Sequence, residues 1–267
     1  MSIVQDAYYS IPIPEPHQQL TFKDACLKQV EKYCLQHRAA RYSDKEDCGG
    51  IAYIRKMVKP GDTVFDIGAH KAGYLYFFLQ QLKGVGAVYA FEPQTTLFNY
   101  LGKLKKLFNW QQVTIEHAAV SDQTGSALLC VPYNGKRNSS PCATIIESKM
   151  LFDCQFKEEV ATVSLDAYCL RHQLAPDFLK VDVEGNELAV FRGAGQLLRT
   201  RKPPILFECE ARFVGEETLW ETFRFLQQFG YTGHFIRQNA VLPIAAFSVS
   251  RHQDTNSPVY CNNFIFE

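Results

Sequence analysis

The sequence predicts an α/β fold, with a mostly parallel sheet, helices on both faces and an antiparallel pair of strands at the end of the chain. Two patterns predict it. Between residues 63 and 229, short apolar runs alternate with segments of helical spacing, beginning with Thr63–Ile67 and Tyr74–Leu82. The last two apolar runs, Thr232–Ile236 and Asn262–Phe266, have no helical segment between them, which indicates an antiparallel hairpin. Alternating strands and helices form right-handed βαβ units, whose ligands bind at the carboxyl ends of the strands.

Residues 1–58 are predicted to form an arm and a helical cap ahead of a single α/β domain of residues 59–267. The first twenty residues contain the proline-rich run IPIPEPH and show no sustained period, so we expect an extended arm. Helical spacing predicts helices at Phe22–His37 and Ile51–Met57, separated by the break Asp47-Cys48-Gly49-Gly50. The turn KPGD at residues 59–62 then leads into the first strand.

Within the domain, each predicted strand is an apolar run bounded by turn residues, and each helix repeats its apolar residues every three or four positions. The strands are Thr63–Ile67, Ala87–Phe91, Val113–Ile115, Ala118–Val120, Ser126–Val131, Val160–Leu165, Phe178–Val183, Pro204–Cys209, Thr232–Ile236 and Asn262–Phe266. The helices are Tyr74–Leu82, Thr95–Phe108, Asp166–Gln173, Glu187–Arg199 and Glu216–Phe229. Residues 132–157 are polar, and an excursion of that length from a compact domain is usually functional or disordered.

Composition argues against several classes of partner. Basic and acidic side chains number 28 each, so no broad electrostatic field draws the protein to nucleic acid or to an anionic membrane. The start of the chain lacks the pattern of a signal peptide, and the apolar stretch Ala240–Val249 is too short to span a bilayer. We therefore expect a cytoplasmic protein without a membrane span. The nine cysteines form no CxxC pair, which predicts reduced thiols, with Cys142 or Cys154 as candidates for a reactive one.

The strongest chemical signal is the run VFDIGAHKAGY at residues 64–74, where an apolar strand ends near Asp66 and leads through two glycines into a helix. Gly68 allows a tight turn and the close approach of a ligand, and a helix that begins at about Gly73 points its free amides at that ligand. A dinucleotide requires G-x-G-x-x-G, but Asp66 and Lys71 occupy the first and third glycine positions. Asp66 would repel a diphosphate and suits a ligand with an ammonium group, such as S-adenosylmethionine.

A second carboxylate follows the next predicted strand. Glu92, in the run FEP, lies about two dozen residues after Gly68, at the expected ligand edge of the sheet. A carboxylate at that place accepts hydrogen bonds from both hydroxyls of a ribose. Alone, Glu92 would be an ordinary surface or capping carboxylate, but together with Asp66 on the same edge it predicts a ribose-binding residue.

The runs VFDIGAHKAG, AFEP, AVSDQTG, VATVSLDAY, FLKVDVEGNE and ILFECE occur in an order and at intervals that resemble the FkbM-type methyltransferases. The resemblance covers about residues 61–210 and, less closely, the end around Asn263-Phe264, and VDVEGNE is its most specific part. It implies a Rossmann-like class I methyltransferase fold with a seven-stranded sheet and S-adenosylmethionine as the methyl donor. It also implies O-methylation of a hydroxyl on a sugar, glycan or natural-product acceptor. By the same resemblance, Ala69, Pro93 and Ser121 join the cofactor-binding residues. The resemblance also predicts that Ser139-Ser140 faces the acceptor, and a solvated loop is the alternative for these two residues.

The sequence departs from the family pattern after Gly68-Ala69. The family usually has Asn next and a second glycine soon afterwards, whereas this chain has His70, Lys71 and Ala72 before Gly73. His70 is expected either to hydrogen-bond the cofactor carboxylate or to line the pocket. The charge of Lys71 has no role that the pattern explains.

Asp182 and Glu184 follow the strand that ends in KVDVEG, at the edge where acceptor and methyl donor should meet. A carboxylate there could accept the proton of the acceptor hydroxyl during methyl transfer, so both are candidate catalytic residues. Asp182 could instead bind the amino group of the cofactor, and Glu184 could cap the following helix. A divalent cation on Asp182, Glu184 and Glu208 or Glu210 is a third alternative, which no ligand spacing supports.

Two other classes of function compete with a methyltransferase. A nicotinamide-dependent oxidoreductase, NAD(P)-linked, shares the strand, the glycine turn and the downstream acid, but Asp66 and the missing third glycine argue against it. A non-catalytic protein could retain the fold as a cofactor-binding module, which the departures at His70 and Lys71 motivate.

Overall fold

The computed structural model describes residues 22–131, 143–145, 156–257 and 259–267. It confirms the predicted α/β class, because a mixed sheet of eight strands carries helices on both faces. Three predictions concern residues outside the described ranges: the extended arm of the first twenty residues, the position of Ser139-Ser140, and the thiols of Cys142 and Cys154.

The helices and strands have the following bounds. The helices are α1 (Phe22–Arg41), α2 (Cys48–Met57), α3 (Gly73–Leu82), α4 (Thr95–Phe108), α5 (Leu165–His172), α6 (Glu187–Arg192), α7 (Gly195–Thr200), α8 (Ala211–Val214), α9 (Glu216–Gln228) and α10 (Val249–His252). The strands are β1 (Thr63–Ile67), β2 (Ala87–Phe91), β3 (Val113–Glu116), β4 (Ala119–Val120), β5 (Gly125–Val131), β6 (Thr144–Ile145), β7 (Phe156–Val163), β8 (Phe178–Val181), β9 (Ile205–Glu208), β10 (Gly233–Arg237), β11 (Ala240–Pro243) and β12 (Asn263–Phe266). A π-helical turn, Tyr42–Glu46, follows α1, and a 3₁₀ turn, Ile244–Ala246, follows β11.

The main sheet has the strand order β11-β10-β12-β9-β8-β1-β2-β3. The five strands from β9 to β3 in that order run parallel, whereas β12 is antiparallel to both β9 and β10. The expected count of seven strands is one too few, because Ala240–Pro243 pairs with β10 and adds β11 at the edge. The expectation that no helix separates the last strands is also wrong, since α10 lies between β11 and β12.

The segments between β3 and α5 form a separate sheet, with the order β4-β7-β5-β6. β5 and β7 pair antiparallel over seven residues, ending with Val131 opposite Phe156. β7 therefore begins at Phe156 and not at Val160, because pairing with β5 extends the strand through the polar residues 157–159. This sheet lies beside the ligand edge of the main sheet and contributes to the cavity described below.

Both faces of the main sheet are buried, and side chains alternate between the faces along each strand. Phe65 and Leu179 belong to the core with α5, α6, α7 and α9. Val64 and Phe178 belong to the core on the opposite face, with the helices from α1 to α4. Burial on both faces explains why the parallel strands have nearly continuous apolar sequences.

Two helical segments differ from the prediction because of local contacts. α2 begins three residues earlier than expected, since the Asp47 Oδ1 atom accepts a hydrogen bond from Gly50 N at 3.0 Å and caps the helix. The long helix predicted after β8 is divided into α6 and α7 around Gly193. A Cβ atom on Gly193 would lie 2.2 Å from the carbonyl oxygen of Ser121, so the chain approaches its neighbour here more closely than another residue permits.

α1 continues to Arg41 and packs along α3 and α4. Tyr100 OH and Lys103 Nζ of α4 each donate a hydrogen bond to the Glu31 carboxylate, both at 2.9 Å. Arg38 donates a hydrogen bond to the carbonyl oxygen of Lys71, in the turn between β1 and α3. The helical cap is thus in contact with the turn that the sequence singles out.

Two expectations from composition have different outcomes. Cys130 is disulfide-bonded, which contradicts the expected reduced state at this position, whereas the six other cysteines within the described ranges are free. A missing CxxC pair does not exclude a bond between cysteines that folding brings together. No helix in the described part of the chain combines the length and apolar character needed to cross a bilayer.

Candidate functional site

A cavity of about 490 Å³ opens at the carboxyl ends of β1, β2, β8 and β9, where sheets of this type bind ligands. The turn from β1 to α3 and the residues that follow β2 and β8 form much of its wall. The π-helical turn, the start of β12 and residues of β5 and β6 complete the wall. Its volume is typical of a site for a small molecule.

The turn from β1 to α3 is fixed by contacts within the protein. The amides of Gly68 and Ala69 both donate to the carbonyl oxygen of Phe91, each at 3.0 Å. Gly68 has a φ of +85°, and a Cβ atom there would lie 1.8 Å from the carbonyl oxygen of Asp182. Gly68 lines the cavity, and its missing side chain also allows the carbonyl oxygen of Asp182 to approach the turn. The predicted close approach of a ligand to Gly68 stays a prediction.

The second glycine of the motif lies where a helix begins, as predicted. α3 starts at Gly73, so its first amides point towards the turn. A Cβ atom on Gly73 would lie 2.8 Å from the ring of Tyr42, which comes from the π-helical turn. A side chain at this position would therefore require the Tyr42 ring to move.

Glu92 is held rigidly at the end of β2. Its Oε2 atom accepts a hydrogen bond from His70 N and its Oε1 atom accepts one from Gln94 N, both at 2.9 Å. Burial raises the pKa of Glu92 to about 7, although these two amides stabilise the charged form. Because each carboxylate oxygen has two lone pairs, Glu92 retains capacity to accept further hydrogen bonds. Pro93 follows it on the cavity wall.

Asp66 lies behind the cavity wall and not on it. Its side chain is fully buried, neither carboxylate oxygen has a hydrogen-bond partner, and burial raises its pKa to about 7. Asp66 is the direct neighbour of Lys180 in the register of β1 and β8, and this ammonium opposes the rise in pKa. The predicted role of Asp66 towards a ligand ammonium stays a prediction.

Lys180 is a residue that the sequence reasoning missed. It is completely buried, with its Nζ atom 3.0 Å from Asp182 Oδ2 and 4.3 Å from the centre of the Tyr74 ring. Burial lowers the pKa of Lys180, but Asp182, Glu208 and Asp66 together raise it above its usual value. The signal was present in the sequence, since a lysine inside the apolar run FLKV must find a counter-ion within the fold.

Asp182 and Glu184 both line the cavity, as predicted. Glu184 has a φ of +54°, which is uncommon for a residue other than glycine. Burial raises the pKa of Glu184 to about 8, and the charge of Asp182 adds to the effect. The alternative that Glu184 caps the next helix is wrong, because the carboxylate at the start of α6 belongs to Glu187, whose Oε1 atom accepts from Gly185 N at 3.0 Å.

The remaining predicted residues divide into two groups. His70 lines the cavity, and burial, with the charge of Lys71, lowers its pKa to about 4, so the ring is neutral. Ser121 is buried and does not line the cavity, and its hydroxyl accepts a hydrogen bond from Asn186 Nδ2 at 3.4 Å. The cavity thus brings together Gly68, Ala69, His70, Gly73, Glu92, Pro93, Asp182 and Glu184, but not Asp66 or Ser121.

Several residues of the wall come from the two ends of the chain, and the sequence reasoning did not assign them to the site. They are Tyr42, Asp47, Asn262 and Asn263. Tyr74 OH donates a hydrogen bond to Asp47 Oδ2 at 2.6 Å, which ties the cap to α3. Across the described residues, no three His, Cys, Asp or Glu side chains are arranged to hold a metal ion.

A family model described as the methyltransferase FkbM domain matches residues 66–233, which is more than half of the chain. The chain belongs to the FkbM methyltransferase family. The resemblance inferred from the sequence motifs is confirmed by this match. The FkbM match includes Gly68, Glu92 and Asp182, whereas Tyr42 and Asn262 lie outside it.

This FkbM-family chain is similar to the crystal structure of methyltransferase FkbM from Methylobacillus flagellatus KT, with a TM-score of 0.51 and 14% sequence identity. The similarity covers 92% of this chain and 59% of that chain, so this chain spans less than two thirds of that relative. A SAM-dependent methyltransferase from Aquifex aeolicus gives a TM-score of 0.45 at 15% identity, covering 92% of this chain and 98% of that one. At such identity the Methylobacillus structure supports the fold alone. The comparison with curated proteins finds no match.

Proposed function

We propose that this protein transfers the methyl group of S-adenosylmethionine to a hydroxyl of a small acceptor, such as a sugar, a glycan or a natural product. One observation carries the proposal: two backbone amides fix the buried carboxylate of Glu92 at the cavity, beside the turn from β1 to α3. When bound, S-adenosylmethionine supplies a methyl group made electrophilic by a sulfonium. A nicotinamide dinucleotide suits the cavity less, because its diphosphate would approach the carboxylates of Glu92 and Asp182.

The residues around the turn fit this cofactor. Glu92 can accept hydrogen bonds from ribose hydroxyls, and the amides at the start of α3 can bind the carboxylate of the amino-acid tail. The buried Nε2 atom of His70 has no hydrogen-bond partner, so it is available to that tail. Asp66, behind the wall, would favour the cationic end through its charge and not through contact.

Asp182 is the base that the geometry favours. Its Oδ2 atom lies 3.0 Å from Lys180 Nζ, and this ion pair orients the carboxylate at the cavity. The second oxygen is then able to accept the proton of the acceptor hydroxyl as the methyl group is transferred. Glu184, with a pKa raised to about 8, is mostly protonated at neutral pH and suits a role as hydrogen-bond donor to the acceptor.

Calorimetric titration with S-adenosylhomocysteine, and separately with NAD, tests the cofactor. We expect the wild-type protein to bind S-adenosylhomocysteine and not NAD. Glu92→Gln should weaken that binding by about ten-fold or more, because an amide replaces an acceptor of charge-assisted hydrogen bonds. Glu116→Gln is the matched control. Glu116 ends the adjacent strand β3, lies outside the cavity wall, and accepts a hydrogen bond from Tyr168 OH at 2.8 Å.

Two results would contradict the cofactor assignment: tight binding of NAD in place of S-adenosylhomocysteine, or unchanged affinity in Glu92→Gln. Circular dichroism spectra and melting temperatures of both variants separate a loss of binding from a loss of folding. Retained affinity for S-adenosylhomocysteine without transfer to any acceptor would favour the non-catalytic binding module.

A further inference from the structure

Asp47 is a buried carboxylate of the helical cap, outside the residues matched by the family model. The residue is 6% exposed, and its two carboxylate oxygens have different partners. Oδ1 accepts a hydrogen bond from Gly50 N at 3.0 Å, and Oδ2 accepts one from Tyr74 OH at 2.6 Å. Burial raises the pKa of Asp47 to about 6, so the carboxyl group is still mostly ionised at neutral pH.

A continuous series of contacts joins Asp47 to the proposed base. The ring of Tyr74, in the first turn of α3, packs against the Lys180 ammonium, with Nζ 4.3 Å from the ring centre. Lys180 Nζ in turn lies 3.0 Å from Asp182 Oδ2. We propose that Asp47 and Tyr74 are positioning residues for this base: together they hold the ammonium of Lys180 in place, and so orient the carboxylate at the cavity. The inference rests on the proposed function.

Charge alone does not determine where the Lys180 ammonium lies. Burial lowers the pKa of this ammonium, but three acidic residues raise it: Asp182, Glu208 at the end of β9, and Asp66 in β1. An ammonium that several carboxyl groups attract can move among them unless packing prevents the movement. The face of the Tyr74 ring supplies that packing, because an ammonium is attracted to the face of an aromatic ring.

Asp47 fixes the orientation of the Tyr74 ring. The phenol donates from the far end of the side chain, so the ring is held both at its Cβ atom and at its hydroxyl group. Asp47 is itself anchored as the N-cap of α2, and its amide donates to the carbonyl oxygen of Tyr42 at 2.9 Å. Burial and the charge of Asp47 raise the pKa of Tyr74 well above its usual value, so the phenol remains a donor. Donation to a carboxylate also polarises the phenol, which strengthens the attraction between the ring and the ammonium.

The position of the ammonium matters because the Asp182 side chain is not enclosed. It is 23% exposed and follows β8 directly, at the cavity wall. The ion pair keeps Oδ2 at Lys180 and leaves the other oxygen for the proton of the acceptor hydroxyl. Displacement of a reacting group by about 1 Å can lower a rate by about 100-fold, so even a small movement of Lys180 should reduce turnover.

Nuclear magnetic resonance of protein with isotope-labelled lysine tests the contacts without an acceptor. The ε-methylene signal of Lys180 should be shifted upfield by the Tyr74 ring. Its absence from Lys180→Met identifies it, or nuclear Overhauser contacts with that ring if the variant does not fold. Tyr74→Phe keeps the ring, removes only the hydroxyl, and should move the signal towards the position of exposed lysines. An unchanged Lys180 signal in Tyr74→Phe would overturn the inference.

Tyr168→Phe is the matched control for this experiment. Tyr168 is also buried, and its hydroxyl donates to a carboxylate, that of Glu116, at 2.8 Å. Tyr168 lies outside the cavity wall and packs in the core on the other face of the main sheet from Tyr74. Its replacement should leave the Lys180 signal where it is in the wild-type protein.

Methyl transfer tests the effect on the base. The acceptor is one found by screening simple glycosides, phenols and alcohols with labelled S-adenosylmethionine. Tyr74→Phe should lower kcat by about ten-fold, while the Kd of S-adenosylhomocysteine changes less than about two-fold. Unchanged kcat in Tyr74→Phe, or an equal loss of affinity, would overturn the inference. Failure of the wild-type protein to bind S-adenosylhomocysteine would instead contradict the proposed function.

Double variants show whether the two residues act through the base. Asp47→Asn keeps the cap of α2, because asparagine caps helices as well as aspartate, but removes the anionic acceptor of the Tyr74 phenol. The variant with both Asp47→Asn and Tyr74→Phe should lose no more kcat than the larger single loss, within about two-fold. In an Asp182→Asn background, Tyr74→Phe should lower kcat by less than about two-fold further. Additive losses in either combination would show that the two residues act only through folding, and would overturn the inference.

Discussion

At the scale of single residues, Lys180 is a buried cation that lies among the acidic side chains of the site. Its ammonium faces Asp182, Asp66 and Glu208, and the ring of Tyr74. A buried ion that loses its partner is costly, because neither water nor another charge replaces the lost interaction. Lys180 therefore has two stabilising contacts. It forms an ion pair with Asp182, and it packs against the ring of Tyr74 in α3.

Replacement of Lys180 tests this role. Lys180→Met should lower the free energy of unfolding by about 3–5 kcal/mol, as found when one partner of a buried ion pair is removed. Urea denaturation followed by circular dichroism measures the change. Lys103→Met provides the control, because Lys103 is 45% exposed in its pair with Glu31 and such surface pairs contribute about 0–1 kcal/mol. Equal effects of the two substitutions would show that Lys180 is not the compensating charge.

Asp182 and Glu184 can be separated by activity. With an acceptor that the wild-type protein methylates, Asp182→Asn should lower kcat by about 100-fold or more, the usual contribution of a positioned base, without abolishing binding of S-adenosylhomocysteine. Glu184→Gln should have a much smaller effect, because a protonated carboxyl group and an amide both donate hydrogen bonds. A larger loss of kcat in Glu184→Gln than in Asp182→Asn would reverse the two roles.

The sequence predicted those site residues that directly follow a strand. Glu92, Asp182 and Glu184 each follow an apolar run, so the rule that ligands bind at the carboxyl ends of strands was enough to place them. Tyr42 and Asn263 could not be found in this way, because they reach the cavity through pairing and packing between distant segments. Nor could the sequence show that the carbonyl oxygen of Asp182 lies close against Gly68.

At the scale of helices and strands, two glycines differ in their surroundings, so we expect their replacement by alanine to have opposite effects on stability. Gly193, between α6 and α7, has the Ser121 carbonyl oxygen where a Cβ atom would lie. Gly102, within α4, has no atom within 4 Å of that position. The first glycine serves a contact between elements, whereas the second only weakens its helix.

Alanine at each position tests this difference. Gly193→Ala should destabilise the protein by about 1–3 kcal/mol, because the backbone of α6 or of Ser121 must move. Gly102→Ala should stabilise it by roughly 0.5–1 kcal/mol through helix propensity. Both values come from urea denaturation of the purified variants. A stabilised Gly193→Ala protein would mean that the close approach to Ser121 is not required.

Element bounds were predictable where one local pattern determines them. β1 and β2 lie where the sequence predicted, since both strands are buried and bounded by turns. β11 was missed because Pro243 interrupts its apolar run and the strand is stabilised only by pairing with β10. The break at Gly193 was missed for the related reason that helical spacing continues across it. Pairing partners and close contacts are tertiary information, which periodicity does not contain.

At the scale of the whole molecule, folding buries many carboxyl groups. Burial raises the pKa to about 7 for Asp66, Glu92 and Glu187, and to about 8 for Glu184. Since carboxyl groups of an unfolded chain titrate near about 4, the folded state binds more protons than the unfolded state between about pH 4 and pH 8. The stabilising contribution of these groups is therefore complete below pH 4 and is lost as the pH rises through 7 to 8.

His70 acts in the opposite direction at lower pH. Because its pKa is lowered to about 4, the unfolded chain takes up a proton below about pH 6.5 that the folded chain does not, and stability decreases there. The effect of the carboxyl groups is consequently clearest between about pH 6.5 and pH 8.5. For each proton by which the folded and unfolded states differ, the free energy of unfolding changes by about 1.4 kcal/mol per pH unit.

We therefore expect the melting temperature of the ligand-free protein to fall by at least about 3 °C from pH 6.5 to pH 8.5, measured by calorimetry at constant ionic strength. Glu187→Gln should make this fall smaller, because Glu187 is a fully buried contributor outside the cavity wall. Glu221→Gln is the control, since Glu221 is 46% exposed in its pair with Arg192. A melting temperature that is constant or rises over this interval would mean that the buried carboxyl groups are ionised in the folded protein. Lys180 and the backbone amides would then be sufficient to compensate their charge.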